Sequence, residues 1–486
     1  MRKLLLASAF ALGAVGTYGT AFAQNADQPE ASSNVFSGQV LSRPGQTPLA
    51  NNNNNAFGTA RKGVAAVPTP GTVVVRLNFR VMTQFFQGWN SLMNSGLPGT
   101  NTSSTGMGGW ARLYPGIDAM AANGMRYGAA IELRTNLGAT GNLASTPSIS
   151  NPASGAGGST NSQTIYLRRA FAYFGTDQLG IVRVGMGDGL ISLFDAGITT
   201  NQGYSPTSNF NGSDLQVAIG GNSAPPFVFL SGSGDEYDTQ KFVYLSPNFS
   251  GFDFGLQYSP SAFNNLQGCT VPGTTCANLS SSVVPGDGAR YQNMVSAGVR
   301  YWGDVGPVRL LAYGVYSYAG HINNNLSPAL SRTAVGAPAG SSWDGQFDNL
   351  SFGSAGVAVS YQGFTLATNY IGGAMNGRMA AKPSSGSTMN AFLVGFTYRN
   401  GPLAIGSSFA NIDEQGSVAM TGLTQRHEYE FSFGGSYAIA PGMVMFADYL
   451  YQNRKQGGFN FATNTPGAAN NQVQGQGFVL GTQVTW

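Results

Sequence analysis

The side chains with most chemistry to offer are arginines, and they are unevenly placed. Residues 71–187 hold eight of them and no lysine: Arg76, Arg80, Arg112, Arg126, Arg134, Arg168, Arg169 and Arg183. Only Asp118, Glu132 and Asp177 oppose them there. The next segment, 188–235, reverses the balance, with Asp188, Asp195, Asp214 and Asp235 and no base. Guanidinium stays charged at any relevant pH and presents a rigid fork of donors. Such a cluster steers ions and polar solutes; it does not transfer protons. Hydrolysis has little to work with. A catalytic centre needs a base positioned beside a nucleophile. The chain has two histidines, His321 and His427, and no serine motif or catalytic acid pair. Its two cysteines, Cys269 and Cys276, have no histidine nearby, so neither a metal nor a cofactor is expected. Pro272-Gly273 between them supplies a turn, and a local disulfide is the expected state in an oxidising compartment.

The ends of the chain bear on that compartment. Met1-Arg2-Lys3, an apolar run from Leu4 to Val15 and Ala21-Phe22-Ala23 read as a cleavable secretory signal over residues 1–23. Without Arg2 and Lys3, 22 bases face 21 acids, a balance that does not point to nucleic acid. Residues 24–70 are rich in Gln, Asn, Ser and Pro and read as a low-complexity periplasmic extension. Beyond Ala23 no apolar run reaches the roughly 18–20 residues of a spanning helix. Charged residues are 9% of the chain, against about 25% in soluble domains. An exported chain that stays in a membrane without such helices must close a barrel, because only closure satisfies every backbone polar group in lipid.

Positioning the arginines is then the task of strands. From Gly71 apolar Val73, Val75, Leu77 and Phe79 alternate with Arg76, Asn78 and Arg80, a period of two. Similar runs recur near 110–120, 125–136, 163–175, 180–187, 236–246, 251–260, 289–302, 306–319, 349–361, 363–372, 390–399, 402–411, 427–438, 442–454 and 475–486. With 71–85 they make about sixteen strands, joined alternately by short turns and by long Gly/Ser/Asn-rich loops. The expected fold is all-β, a transmembrane antiparallel barrel over 71–486 whose water-filled interior carries polar side chains. Aromatics gather at the short turns, including Phe174, Phe249, Phe252, Tyr301, Trp302, Tyr361 and Phe364, as an interfacial girdle requires. Parity turns Arg76, Arg80, Arg168 and Arg183 inward. It gives Arg169, Phe171 and Tyr173 different sides from Arg168, and Arg169 the lipid side.

The last strand alternates from Phe478 to Trp486 and resembles the C-terminal signature of bacterial outer-membrane barrels. That implies the cell outer membrane of a Gram-negative bacterium, outer-membrane lipid around the chain, and handling by the barrel-assembly machinery through the strand ending at Trp486. The stretch Tyr166-Leu167-Arg168-Arg169-Ala170-Phe171-Ala172-Tyr173-Phe174-Gly175, then Gly180-Ile181-Val182-Arg183-Val184-Gly185-Met186-Gly187-Asp188, followed by Leu190 to Asp195, resembles Gram-negative general porins of the alphaproteobacterial type. The resemblance implies a long third external loop, here 188–235, folded into the lumen. It implies an eyelet where Arg76, Arg80, Arg168 and Arg183 face Asp188, Asp195 and Asp214. It also implies passive diffusion of ions and small hydrophilic solutes, a homotrimer, and no enzyme activity. Two other readings use the same barrel: a substrate-specific channel for sugars or organic acids, and a non-conducting surface barrel.

Overall fold

The computed structural model describes residues 68–93, 96, 104–137, 165–195, 204–205, 239–261, 281–282, 291–321, 323–324, 337–377, 379–440, 442–463 and 465–485. The expected signal and most of the extension, Asp214, both cysteines and Trp486 lie outside these residues, as does the side chain of Arg76.

Sixteen strands form one closed sheet. They are β1 (Thr72–Asn90), β2 (Thr105–Met120), β3 (Arg126–Leu137), β4 (Tyr166–Thr176), β5 (Gly180–Met186), β6 (Gln240–Leu245), β7 (Phe252–Ser261) and β8 (Tyr291–Val305). Then come β9 (Val308–His321), β10 (Leu350–Tyr361), β11 (Phe364–Ala374), β12 (Met389–Asn400), β13 (Leu403–Glu414), β14 (Arg426–Ala440), β15 (Met443–Gln456) and β16 (Gln472–Thr485). A one-turn helix, α1 (Leu190–Phe194), follows β5. Each strand pairs antiparallel with its neighbours in sequence, and β1 pairs with β16, Arg80 opposite Thr485, to close the ring. No edge remains, so every strand can give its backbone donors and acceptors to a ladder. The expected runs all coincide with strands. Several ladders extend further than the alternation suggested: β1 reaches Asn90 and β2 begins at Thr105, because backbone pairing continues past the last apolar residue.

Period two sorts each strand into an outer and an inner face. On β1, Val73, Val75 and Leu77 are exposed outward while Arg80, Met82 and Gln84 are buried inward. The same holds on β7, where Phe254 and Leu256 are exposed and Asp253 and Gln257 buried. The outer face is the band of apolar and aromatic side chains a bilayer demands. At the short-turn end Phe174, Phe249, Phe252, Tyr361 and Phe364 are exposed, and the rings of Phe252 and Tyr301 meet at 4.8 Å. Trp302 departs from the expected girdle. Its parity is that of Arg300, so it turns inward, where its Nε1–H donates to Asp253 Oδ2 at 3.3 Å.

The inner face is not polar all round, as the strand pattern had suggested. Strands β1–β5 line it with Arg80, Arg112, Glu132, Arg169 and Arg183. On β9–β13 the corresponding positions include Val315, Phe352, Ala367, Ile371, Leu393 and Ile412, all buried. Water does not reward such residues with a partner, and here they belong to one apolar cluster with Leu190, Ile191, Leu193 and Phe194 of α1. Met82, Trp110, Ala130, Phe171 and Tyr173 of β1–β4 belong to the same cluster, so the two sides differ in the charge that the first strands add to it.

Candidate pore-constriction site

The charged side is built on strand register. Arg80 on β1 stands opposite Arg112 on β2, and Arg112 opposite Arg134 on β3. Directly opposed side chains on adjacent strands are about 5 Å apart at Cβ, and like charges so placed repel. The repulsion is offset locally. Trp110, two residues before Arg112 on the same inward face, holds the Arg112 guanidinium 3.6 Å from its ring centroid and that of Arg80 at 5.7 Å. Arg80 Nη2 also donates to Gln483 Oε1 at 3.2 Å, across the seam between β1 and β16. Arg134 donates from Nε to Glu132.

Glu132 is the anionic centre of this wall. Arg134, Arg168 and Arg169 all reach its carboxylate, Arg168 through Nη1 at 3.1 Å. Arg169 then links Glu132 to Asp188, whose Oδ1 accepts from Nη2 at 2.7 Å. This corrects the parity reading of β4. A β-bulge breaks the register: Glu132 pairs with Arg169, but Leu133 pairs with Leu167, so Arg168 is the extra residue. A bulge shifts all later side chains to the other face. Arg169, Phe171 and Tyr173 therefore point inward, and the bulged Arg168 reaches the same carboxylate. Arg183 on β5 is inward as expected, its guanidinium carbon 4.2 Å from the Phe171 ring centroid.

The described residues after β5, 188–195 and 204–205, meet the inner wall in strand order. The Leu190 N–H donates to Gln257 Oε1 on β7 at 2.8 Å. Arg300 on β8 donates from Nη1 to the Leu193 carbonyl at 3.1 Å, while its Nη2 pairs with Asp253 at 2.6 Å. Asn369 Nδ2 on β11 donates to Asp195 Oδ1 at 2.7 Å. The Tyr204 hydroxyl lies 2.6 Å from Ser432 Oγ on β14, Ser436 Oγ donates to the Tyr204 carbonyl, and Ser205 Oγ donates to Asp448 on β15. Burial of the Tyr204 phenol pushes its pKa up, so the hydroxyl stays protonated. Two glycines make room for this track. A Cβ at Gly255 on β7 would collide with Leu190 and lie 3.1 Å from Phe194 Cζ; one at Gly406 on β13 would lie 2.6 Å from Tyr204 Cδ1.

Of the seven residues expected at an eyelet, Arg80, Arg168 and Arg183 lie on the inner face of the charged side. The backbone of Arg76 is paired with Gly116. Asp188 sits among the arginines, bonded to Arg169 rather than set across from them. Asp195 is on the far side, at β11, eight strands from β3 in the ring of sixteen. Asp214 lies outside the described residues. Sequence reasoning counted Arg112, Arg134 and Glu132 but left them out of the expected eyelet, although their alternation with Leu113, Leu133 and Ile131 carried the signal. It also passed over Asp448, which nothing local connects to Ser205.

A family model described as Gram-negative porin matches residues 11–457. No curated protein matches the chain. Among solved structures the chain is similar to an anion-selective porin from Comamonas acidovorans, at 14% identity, 85% coverage of this chain, 100% of that chain and a TM-score of 0.49. It is similar to OmpF of Salmonella typhi in complex with daunomycin, at 12% identity, 85% and 97% coverage and a TM-score of 0.47. It is also similar to OmpT of Vibrio cholerae in its trimer form, at 11% identity, 85% and 99% coverage and a TM-score of 0.46.

Proposed function

The chain belongs to the Gram-negative porin family and is an outer-membrane channel protein, and from that premise we propose that it passes ions and small hydrophilic solutes through a constriction with charge of opposite sign on its two sides. The observation that carries this reading is the arginine ladder Arg80–Arg112–Arg134 on β1–β3, with Asp195 anchored on β11, diametrically across the barrel. The acid of the far side, in this reading, is Asp195 rather than Asp188. A field across a narrow aqueous slot aligns polar solutes and slows apolar ones, which would have to displace oriented water. Constriction width and charged side chains together set selectivity.

In this account residues 188–195 and 204–205 narrow the lumen because they are tethered to β7, β8, β11, β14 and β15 by side-chain hydrogen bonds. The apolar face of α1 covers the inner wall that would otherwise meet water. The chain is proposed to export through the signal at 1–23 and to assemble as a homotrimer, with Trp486 marking the strand read by the assembly machinery. It performs no chemistry on its solutes. Reconstitution into planar bilayers tests the reading. Ohmic single-channel steps with weak ion selectivity are expected; an absence of conductance from correctly folded protein would remove it, and leave a non-conducting surface barrel.

A further inference from the structure

Connecting segments usually run over the surface and are more mobile than the strands they join. At the long-loop end of this barrel several of them are joined to one another. The connection after β9 meets the one after β11: the Asp348 N–H donates to the Lys382 carbonyl and the Ser384 N–H to the Gln346 carbonyl, each at 2.9 Å. It also meets the connection after β13, where the Ser342 N–H donates to the Thr421 carbonyl at 2.9 Å. Asn376, after β11, exchanges hydrogen bonds of 3.0 and 2.7 Å with the Gly416 backbone, after β13. Trp343, Phe347 and Ala381 make one apolar cluster from these segments, with Val418 and Leu423 packed against it.

Gln456, at the end of β15, ties in the next connection. Its Nε2 donates to the Gln415 and Thr424 carbonyls at 2.7 and 2.8 Å. Its Oε1 accepts from the Ser417 N–H at 3.1 Å and from Arg426 Nε at 3.0 Å. Beyond β15, Phe459 and Phe461 cluster with Met420, with Val473 of β16 and with Leu92, just past β1. The joined segments therefore span the arc from β9 through β16 to β1.

This assembly lies on the lumen side of the sheet. Arg426 and Glu428 of β14 and Arg454 of β15 have the inward parity, opposite to exposed Tyr429. The Phe461 ring centroid is 5.3 Å from the Arg426 guanidinium carbon and 5.2 Å from that of Arg454. Glu428, Arg454 and Gln456 are 0–1% exposed. Inward polar side chains at the open end of a water-filled barrel would be wet unless covered. The loop after β15 is thus folded across the mouth rather than away from it. Buried polar groups that find their partners within the protein gain nothing by separating, so the cover is fixed. At the other end the strands are joined by turns of a few residues, too short to reach across.

We propose that this roof is an outer size filter, separate from the constriction, which keeps flexible hydrophilic polymers out of the external vestibule. Gln456 and Phe461 are the residues that hold it in place. The proposal rests on the reading of the chain as a conducting porin. Its consequence is that small solutes pass the mouth, while a polymer that would plug the constriction from outside is turned away before reaching it.

The test uses the full-length protein in planar bilayers. Polyethylene glycols of increasing length are added to one side at a time, and a polymer that enters lowers the potassium chloride conductance. In the wild type the longest polymer that enters should be shorter from one side than from the other. Gln456→Ala removes the joint between the connections after β13 and β15, and Phe461→Ala removes the ring at the mouth. Each should lose that difference between the sides; if Gln456→Ala does not fold, Phe461→Ala carries the test. Equal cut-offs from both sides of the wild type would overturn the roof and leave the porin reading intact. A difference that survives in the folded variants would overturn it too, by placing the filter elsewhere. Correctly folded wild-type protein with no conductance would instead remove the porin reading on which the roof rests.

Discussion

Strands β1–β5 and β9–β13 follow one construction rule, outward apolar and inward something else, yet their inner faces do opposite things. The first set places charge among its apolar inner residues. Arg80, Arg112 and Arg134 stand in one row, and Glu132 is ringed by three guanidinium groups. The second set uses Val315, Phe352, Ile371, Leu393 and Ile412, which join the apolar cluster containing α1. A closed sheet imposes the alternation but not the chemistry of its inner face. The difference teaches that one closed sheet can carry a network of paired charge inside some strands and apolar packing with α1 inside others.

Removing the anion at the centre of the charged wall should have the largest effect. Glu132→Gln leaves Arg134, Arg168 and Arg169 without their shared carboxylate. Breaking a buried pair by removing one partner costs about 3–5 kcal/mol. The urea midpoint of the detergent-folded barrel should fall accordingly, and an unchanged midpoint would show that the wall tolerates its charge without Glu132. The packed wall is tested next. Gly255→Val places branched carbon where Leu190 and Phe194 now lie, an overpacking cost of about 1–3 kcal/mol. Displacement of α1 should then raise single-channel conductance. Unchanged conductance with intact folding would mean that α1 does not bound the opening. The smallest expected effect is that of Tyr204→Phe, which deletes the hydroxyl contact to Ser432. A loss of about 1 kcal/mol should increase open-channel current noise with the mean conductance nearly unchanged, and wild-type noise would exclude Tyr204 as an anchor.

Much of the barrel was legible because lipid makes strict demands. Val73, Val75 and Leu77 must face outward if Arg80 faces in, and every expected strand is a strand. The parity of Gln483 and Thr485 follows from the same rule, and both are buried inward. The rule fails at β4, where one bulged residue, Arg168, inverts the faces of Arg169, Phe171 and Tyr173. Nothing in the spacing marks that bulge; it is set by pairing with β3. The packed wall was illegible for a related reason. An inward Ile371 or Leu393 looks like an error in a water-filled barrel until a second apolar surface, α1, is known to lie in the same cluster. Long-range partners such as Ser205 and Asp448 are separated by 243 residues, and no local pattern joins them.

The central claim is that opposite walls carry charge of opposite sign across the path of permeation. Zero-current potentials under a potassium chloride gradient test it most directly, in the wild type, in Arg80→Gln with Arg183→Gln, and in Asp195→Asn. The arginine variant should shift the potential toward cation preference and the aspartate variant toward anion preference. Potentials that stay at the wild-type value in both variants, or that move in the same direction, would contradict the claim.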